Sequence, residues 1–443
     1  MTPPATDRPR DAATPGRSPP LPFTRLITDL SRGQGPTVIC VGGVHGNEPA
    51  GIAAAAVVGQ KLSDLAQWRG RFLAMVGHVA ASNAADPTLR CFERDLNRIV
   101  TREEIDTASR TAPAERSPEQ AELVELVQRL GAAAEQSGGD ATLVDLHTVS
   151  SPSPAFAFVE DSIPARRLGL GLGLPLVLGF EEELRGLLVD YATNELGILS
   201  LLVEAGTHDD PESVTVHEAA IWTILQHRGL VDDAQRAAGF DVAQRLRAAA
   251  GRQAAKTFDI RCRVPVGSPP LEMAESSQAF KRVWKGITTV ATRQHPDRTE
   301  TVRAPADGLL FMPNRQARRR PEDDAFFVIR PVWRRLMWMS ASLRRRGWTH
   351  RVLAALPGVR RTDAVTLEVD HGVAALMTRD VFHLFGYRVH QSRPTPYQRM
   401  PMRALLAIPA IARAVLRAAG LLKRTEREVW VVRRRRLDLP SRG

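Results

Sequence analysis

Three apolar, largely β-branched runs in this chain stop abruptly at residues that carry chemistry. "TVICVGG" (37–43) leads straight into "VHGNEPAG", "ATLVDLHT" (141–148) closes on His147, and "GILSLLVEAGTH" (197–208) closes on Glu204 and His208. Runs of this kind, without polar alternation, read as strands buried on both faces, which belong to parallel sheets covered by helices. Helical patterns lie between them. "PAGIAAAAVVGQKLSDL" (49–65) has Pro49 near its first turn. "SPEQAELVELVQRLGAAAEQ" (117–136) offers Ser117 as cap, Pro118 at the first position, and Leu123, Leu126, Val127 and Leu130 on one face. "GRFLAMVGHVA" (70–80) and "PAFAFVE" (154–160) read as further strands. The alternation predicts an α/β domain over residues 21–252, with a mixed, mostly parallel sheet and helices on both faces.

The style changes further along. Residues 253–333 consist of short alternating runs ("FDIRCRVPV", "ITTVATRQ", "ETVRAPADGLLFMP", "AFFVIRPV") broken by Pro, Gly and Asp, and predict a small β-rich module with Asp307-Gly308 at a hairpin-like turn. Residues 334–443 form a basic extension: a strand "AVTLEVD", a helix near "VAALMTRDVFHLFGY", a long helix near "MRALLAIPAIARAVLRAAGLLKR" and a closing strand "REVWVVRRRR". Residues 1–20, rich in Pro, Ser, Thr and charge, lack the apolar segment of a secretory signal and read as a disordered lead-in. Three dispersed cysteines, Cys40, Cys91 and Cys262, argue against a disulfide framework and fit a reducing, cytoplasmic setting. No uncharged apolar stretch is long enough to span a bilayer. The formal charge of +11 is uneven. From residue 344 onward, 21 Lys and Arg face 7 Asp and Glu, which is +14, so everything before it is slightly acidic.

Ligands of open α/β sheets bind at the carboxyl ends of the strands. His45 and Glu48 of "HGNE", His147 and Glu204 all lie there, brought from three strands. Two imidazoles and a carboxylate are the usual ligand set of a catalytic zinc, with one position left for water, whose pKa the ion lowers to about 7. Gly46 is expected to let the turn tighten so that His45 and Glu48 face one centre. Asp145, two residues before His147, shares its face and is placed to orient a ligand. A fourth segment, "RCFERDLNRIV" (90–100), crowds Arg90, Arg94, Asp95, Asn97 and Arg98. Arginine grips a carboxylate through two parallel hydrogen bonds. A solvated loop with local ion pairs is the plainer account of such a cluster.

Taken together, "GGVHGNEPAG", "DLNR", "DLHT" and "VEAGTH", in this order, resemble the succinylglutamate desuccinylase/aspartoacylase family, a branch of the zinc-carboxypeptidase fold. The resemblance runs over residues 38–332. It implies that His45, Glu48 and His147 hold one zinc and that Glu204 is the general base. It further implies that Asn97 and Arg98 bind a substrate carboxylate, and that Arg90, with Arg94 as the competing candidate, stabilises the oxyanion. The implied activity is hydrolysis of a small N-acyl amino acid. A zinc exopeptidase or esterase on a related small substrate is the alternative within enzymes, and a membrane-associated metal-binding protein without activity is the alternative outside them. There are departures: "GHVAAS", with His78, stands where relatives often have Gly-Asn-Pro, and no tyrosine matches the one some members place over the substrate. "GLGLGLP" (169–175) lacks the Lys-Ser/Thr of a phosphate loop and reads as a strand or loop approach. His208 and His217 are extra histidines near the site. In the helix expected at 402–424, Arg403, Arg413, Arg417 and Arg424 share one side, while Ile408, Ile411, Val415 and Leu422 share the other, which suits packing on the protein or weak contact with a membrane surface. No nucleic-acid partner is expected, because "RRRR" (433–436) comes without an aromatic platform. The sequence sets no oligomeric state.

Overall fold

The computed structural model describes residues 22–316, 320–345, 349–356, 358–363, 366–370, 379–394 and 428–434. The helix expected at 402–424 and the lead-in at 1–20 lie outside them. Eight strands build the principal part of the main sheet: β1 (Leu26–Arg32), β2 (Thr37–Gly42), β3 (Gly70–Val76), β4 (Ala141–Val149), β5 (Phe156–Val159), β6 (Leu176–Leu178), β7 (Leu199–Thr207) and β8 (Thr257–Pro265). Their spatial order is β1-β3-β2-β4-β7-β5-β6-β8, continued by Asp324–Val332, Gly308–Phe311 and Arg282–Val283. The centre, β3-β2-β4-β7, is parallel, and β5 runs antiparallel to β7. The sheet is therefore mixed, in an α/β fold.

Both faces of the centre are covered. Val38 and Cys40 of β2 point into one core with Ala54, Val58 and Trp222, contributed by the helices Ala50–Asp64 and Glu212–His227. Ile39 and Val41 point into the other, against Leu123, Leu126 and Leu130 of the helix Pro118–Gln136. That helix begins as the sequence predicts, with Ser117 and Gln120 exchanging hydrogen bonds in a capping box.

Three expectations need correction. Of residues 169–175, the first three do not belong to a strand or loop approach: Gly169 and Gly171 end the helix Ile163–Gly171, capped by Ser162 with proline in its first turn, and residues 172–175 form the expected loop into β6. A Cβ at Gly169 would lie 2.6 Å from Leu176 Cδ1, so glycine there lets the helix press on β6. Asp307-Gly308 is not a hairpin turn. The strand before it, Thr299–Arg303, pairs with Thr289–Gln294 in a separate three-stranded sheet, whereas Gly308–Phe311 pairs in the main sheet. The Asp307 carboxylate accepts the Lys285 amide at 2.7 Å, fixing the crossing point. Finally, "GRFLAMVGHVA" is not one strand: β3 ends at Val76, and His78 caps a short helix Val79–Ser82 by accepting from the Ala81 amide.

The sheet itself crosses the boundary expected at residues 252 and 253, since β8 pairs in parallel with β6. The extension forms a four-stranded sheet that includes Thr366–Asp370 and Glu428–Arg434, where the sequence places strands. It is tied to the body by buried charge. Asp161, fully buried, accepts from Arg166, from Arg344 at 3.0 Å and from Arg388 at 2.5 Å. Arg388 also reaches Asp259 at 2.8 Å, and His383 meets Glu182 at 2.8 Å. Among the described residues no helix is long and apolar enough to cross a membrane.

Burial works to raise the Asp161 carboxyl, but Arg166, Arg344 and Arg388 hold it well below the usual range. A carboxyl depressed on folding adds stability above its unfolded pKa, near about 3.9, and loses it as pH falls toward the folded value. Asp161→Ala, which leaves buried guanidinium groups without their counter-charge, is expected to lower unfolding free energy by about 3–5 kcal/mol at neutral pH. Urea unfolding of wild type and variant checks this, and the gap between them should narrow below about pH 4.

Candidate functional site

The centre of the site is the Glu48 carboxylate. Strand β2 ends at Gly42, and the chain leaves it through Gly43, whose φ of +67° suits glycine. His45 and Glu48 follow, both buried. The requirement for glycine at position 46 is close approach rather than an unusual backbone angle. A Cβ there would sit 2.5 Å from the Ala81 carbonyl oxygen and 2.6 Å from that of Leu89. The Gly46 amide donates to the Arg90 carbonyl at 2.9 Å, which joins the "HGNE" turn to the arginine-rich loop.

Glu48 Oε1 lies 2.9 Å from His45 Nδ1, and Oε2 lies 3.0 Å from His147 Nδ1. Oε2 also accepts the Thr148 amide at 3.0 Å, and Arg90 Nη1 approaches Oε1 at 3.2 Å. The outer nitrogens of both rings face aspartates: His45 Nε2 is 3.0 Å from Asp95, and His147 Nε2 is 3.0 Å from Asp145. An aspartate behind each ring favours a proton on Nε2 and turns the Nδ1 lone pairs inward, the arrangement seen behind metal-ligating histidines. The ligand atoms of His45, Glu48 and His147 all lie within 4.8 Å of one another. A tetrahedral ion with bonds of roughly 2.1 Å wants its ligands about 3.4 Å apart. The donor set therefore fits a divalent metal.

Glu204 completes the group. It is the register partner of His147 across the parallel β4–β7 pair, its carboxylate is buried, and its Oε2 has no hydrogen-bond partner among the described residues. Burial pushes its pKa up to about 8, with His147 and Arg90 pulling the other way. Glu48 behaves oppositely: burial works to raise it, but the charge and hydrogen bonds of the two imidazoles hold it well below the ordinary carboxylate range. Asp95 is likewise depressed, because Arg90 and His45 overcome its burial. Two classes of carboxylate thus share one site, ligand-like ones that are ionised and one that titrates near neutrality.

Arg90, Arg98 and His208 line the inner pocket of about 80 Å³ together with His45, Glu48, His147 and Glu204. Arg90 is anchored by Asp95 at 2.9 Å. Arg98 donates to Asp324 at 2.7 Å, and Asp324 also binds Arg263. Arg94 is not brought in: both its guanidinium nitrogens go to Glu104, on the helix Arg102–Arg110, and it lines neither the inner pocket nor the cleft outside it. The Asn97 amide oxygen is used by the Leu188 amide at 2.7 Å, and its nitrogen faces His147 Nε2 at 3.4 Å. His208 Nδ1 lies 2.8 Å from the Thr148 hydroxyl. His217, wholly buried, is held neutral by burial, with its pKa driven down to about 3. An outer cleft of about 740 Å³ opens beyond the inner pocket past Arg90, Asp95, Phe92 and Arg320.

Sequence reasoning missed what holds the arginine-rich loop and what forms the opposite wall. Glu119, fully buried in the helix Pro118–Gln136, accepts the Phe92 amide at 2.7 Å and the Glu93 amide at 3.2 Å. His78, the residue that departs from the family pattern, lies 3.3 Å from the same carboxylate. The wall comes from Met312, Pro313, Asn314, Asp323 and Asp324, far along the chain. Only Ser117 as cap and Pro118 at the first position hinted that residue 119 lies in the first turn of a helix, and no local signal pointed it at the loop. Glu119→Ala is expected to cost about 1–3 kcal/mol and to speed amide exchange at Phe92 and Glu93. Glu119→Gln keeps an acceptor and should keep those amides slow, a contrast that hydrogen–deuterium exchange with mass spectrometry reads directly.

Residues 34–228 match the succinylglutamate desuccinylase/aspartoacylase catalytic domain. No curated protein sequence matches the chain. Among solved structures, a succinylglutamate desuccinylase/aspartoacylase from Rhodobacter sphaeroides is similar at 18% identity, over 69% of this chain and 88% of that one, with a TM-score of 0.50. A product-bound ectoine utilization protein from Ruegeria pomeroyi is similar at 18% identity over the same shares, with a TM-score of 0.49. The likeness to the Rhodobacter protein is one of fold.

Proposed function

Residues 34–228 form a catalytic domain of the succinylglutamate desuccinylase/aspartoacylase family, and from that premise we propose that this protein is a zinc-dependent hydrolase that removes the acyl group from a small N-acyl amino acid. The observation that carries the proposal is the inward convergence of His45 Nδ1, His147 Nδ1 and the Glu48 carboxylate beside an unpartnered Glu204 oxygen. Zinc bound by these three residues would polarise an acyl carbonyl and make water acidic enough to attack near neutral pH.

The chain's own groups do the rest. Glu204 takes a proton from the attacking water and returns it to the leaving nitrogen. A base whose pKa lies near the working pH does both efficiently, and burial raises Glu204 toward that range. Arg90, fixed between Glu48 and Asp95, presents positive charge where the carbonyl oxygen becomes anionic. Arg98 reaches into the pocket to bind the substrate carboxylate, with Asp324 setting its direction until substrate arrives. Asn97 accepts the Leu188 amide through its side-chain oxygen, which fixes the loop beside Arg98. Asp145 and Asp95 keep the two imidazoles in the ligand tautomer.

Glu204→Gln should retain stoichiometric zinc and lose roughly 10²–10⁴ in kcat, whereas His147→Ala should lose the metal. Elemental analysis and a panel of N-acetyl and N-succinyl amino acids measure both. Unchanged turnover in Glu204→Gln would remove the glutamate from the mechanism. Turnover confined to peptide or ester substrates would move the protein to an exopeptidase or esterase. Arg98→Ala is expected to raise KM for acyl amino acids by about tenfold, the effect of losing one charged hydrogen-bonded contact, with a smaller change in kcat. An unchanged KM would place the carboxylate elsewhere.

A further inference from the structure

The helix Arg334–Arg344 leaves its first half exposed to solvent and places tryptophans there. Trp333 is 73% exposed, Trp338 75%, Leu336 46% and Met339 39%, and nothing among the described residues covers them. Soluble surfaces seldom gather large apolar side chains so closely without a partner. The helix is anchored from behind: Ser340 and Arg344 are buried, and Arg344 binds Asp161. Helical spacing therefore turns Arg335, Trp338 and Met339 outward together, with Arg334 and Leu336 on the flanks.

The stretch of chain that carries this face has charge of one sign. Residues 325–362 contain nine arginines and neither aspartate nor glutamate. Beneath the helix lies a cavity of about 400 Å³, lined by Trp333, Leu336 and Met337, by Arg261 and Arg330, and by Asp259, which is paired with Arg388. Apolar side chains and guanidinium groups thus alternate from the outer face into a recess. A bare polyanion such as duplex nucleic acid would use the arginines and leave Leu336 and Met339 without a role. The surface of an anionic bilayer uses both, because tryptophan and aliphatic side chains enter the headgroup boundary while arginines meet the lipid phosphates.

We infer that the Trp333–Met339 face of this helix docks the protein on anionic lipid bilayers. This surface is distinct from the helix expected at 402–424, and it does not depend on the hydrolase reading. The insertion is peripheral, with the helix lying along the interface and the metal centre left in the body of the protein.

The test uses the full chain with vesicles of phosphatidylcholine alone or mixed with phosphatidylglycerol, read by co-sedimentation and by tryptophan fluorescence. Wild type should bind the mixed vesicles with a blue shift, release with salt, and leave the neutral ones unbound. Arg334→Glu/Arg335→Glu should weaken binding by well over tenfold, from roughly fivefold for each arginine lost and more for the reversed charge. Trp333→Ala/Trp338→Ala should weaken it roughly tenfold or more. All four side chains are exposed, and unchanged circular dichroism and thermal midpoint certify the fold. Failure of wild type to bind the mixed vesicles overturns the inference, including the case where the protein binds duplex DNA instead. Equal binding to neutral vesicles overturns it too. So does binding that neither variant weakens, which assigns the contact to another segment such as 402–424. Self-association lost in the tryptophan variant, without vesicle binding, assigns the face to a second copy of the chain and likewise overturns it.

Discussion

A carboxylate removed from water is costly unless several donors replace its hydration, and Glu48 shows how many this fold brings to one point. Two imidazole nitrogens, the Thr148 amide and the Arg90 guanidinium all converge on its two oxygens. The donors come from the ends of β2 and β4 and from the loop at 90–98, so the Glu48 position is defined only when three stretches of chain are correctly registered. The parallel pairing supplies that register. Cys40 sits opposite Val144, Gly42 opposite Leu146 and His147 opposite Glu204, so the chemistry-bearing residues extend from aligned ends rather than from flexible loops. Apolar burial of β2, β4 and β7 is therefore what sets the geometry of the polar site.

Support for that geometry comes from further out, and most of it is ionic. Glu119 holds the backbone of the arginine-rich loop from below. Asp95 holds Arg90 and His45 together from within it. Asp324 directs Arg98 from the other wall. Each of these carboxylates meets at least two donors, so that the supporting charges are paired while the Glu204 oxygen inside the site is left open. The β-rich region is thereby part of the pocket, since Asp323, Asp324 and Met312–Asn314 close a site whose candidate metal donors all precede residue 150.

The sequence was most legible where chemistry followed a buried strand directly. "TVICVGG–HGNE", "LVDLH" and "LLVEAG" could be read because strand, turn and functional residue are contiguous, and sheet topology puts such ends on one edge. It was least legible where partners are remote. Arg98 and Asp324 are 226 residues apart, and nothing near Asp324 distinguishes it from a surface acid. Arg94 and Arg90 look equivalent in the sequence. Only the placement of Glu104 one helix further on draws Arg94 outward. Residues 169–171 misled because a glycine repeat weakens any helix propensity, while the close approach of Leu176 makes glycine the residue that fits at 169.

Net charge shows the same difference between a sum and an arrangement. The chain from residue 325 onward holds a large arginine excess, yet its members do two separate jobs. Arg344 and Arg388 are buried and paired with Asp161 and Asp259, so their charges are used inside the fold. Arg334 and Arg335 are exposed, lie beside uncovered tryptophans, and have no acid within the surrounding stretch of sequence. Composition counts these four residues alike. Only the exposed pair can meet an external anion, and the buried pair fixes the helix that presents it. The docking surface and the charge node behind it are consequently a single mechanical unit: loosening Asp161 from Arg344 would free the base of the helix whose outer face carries the tryptophans.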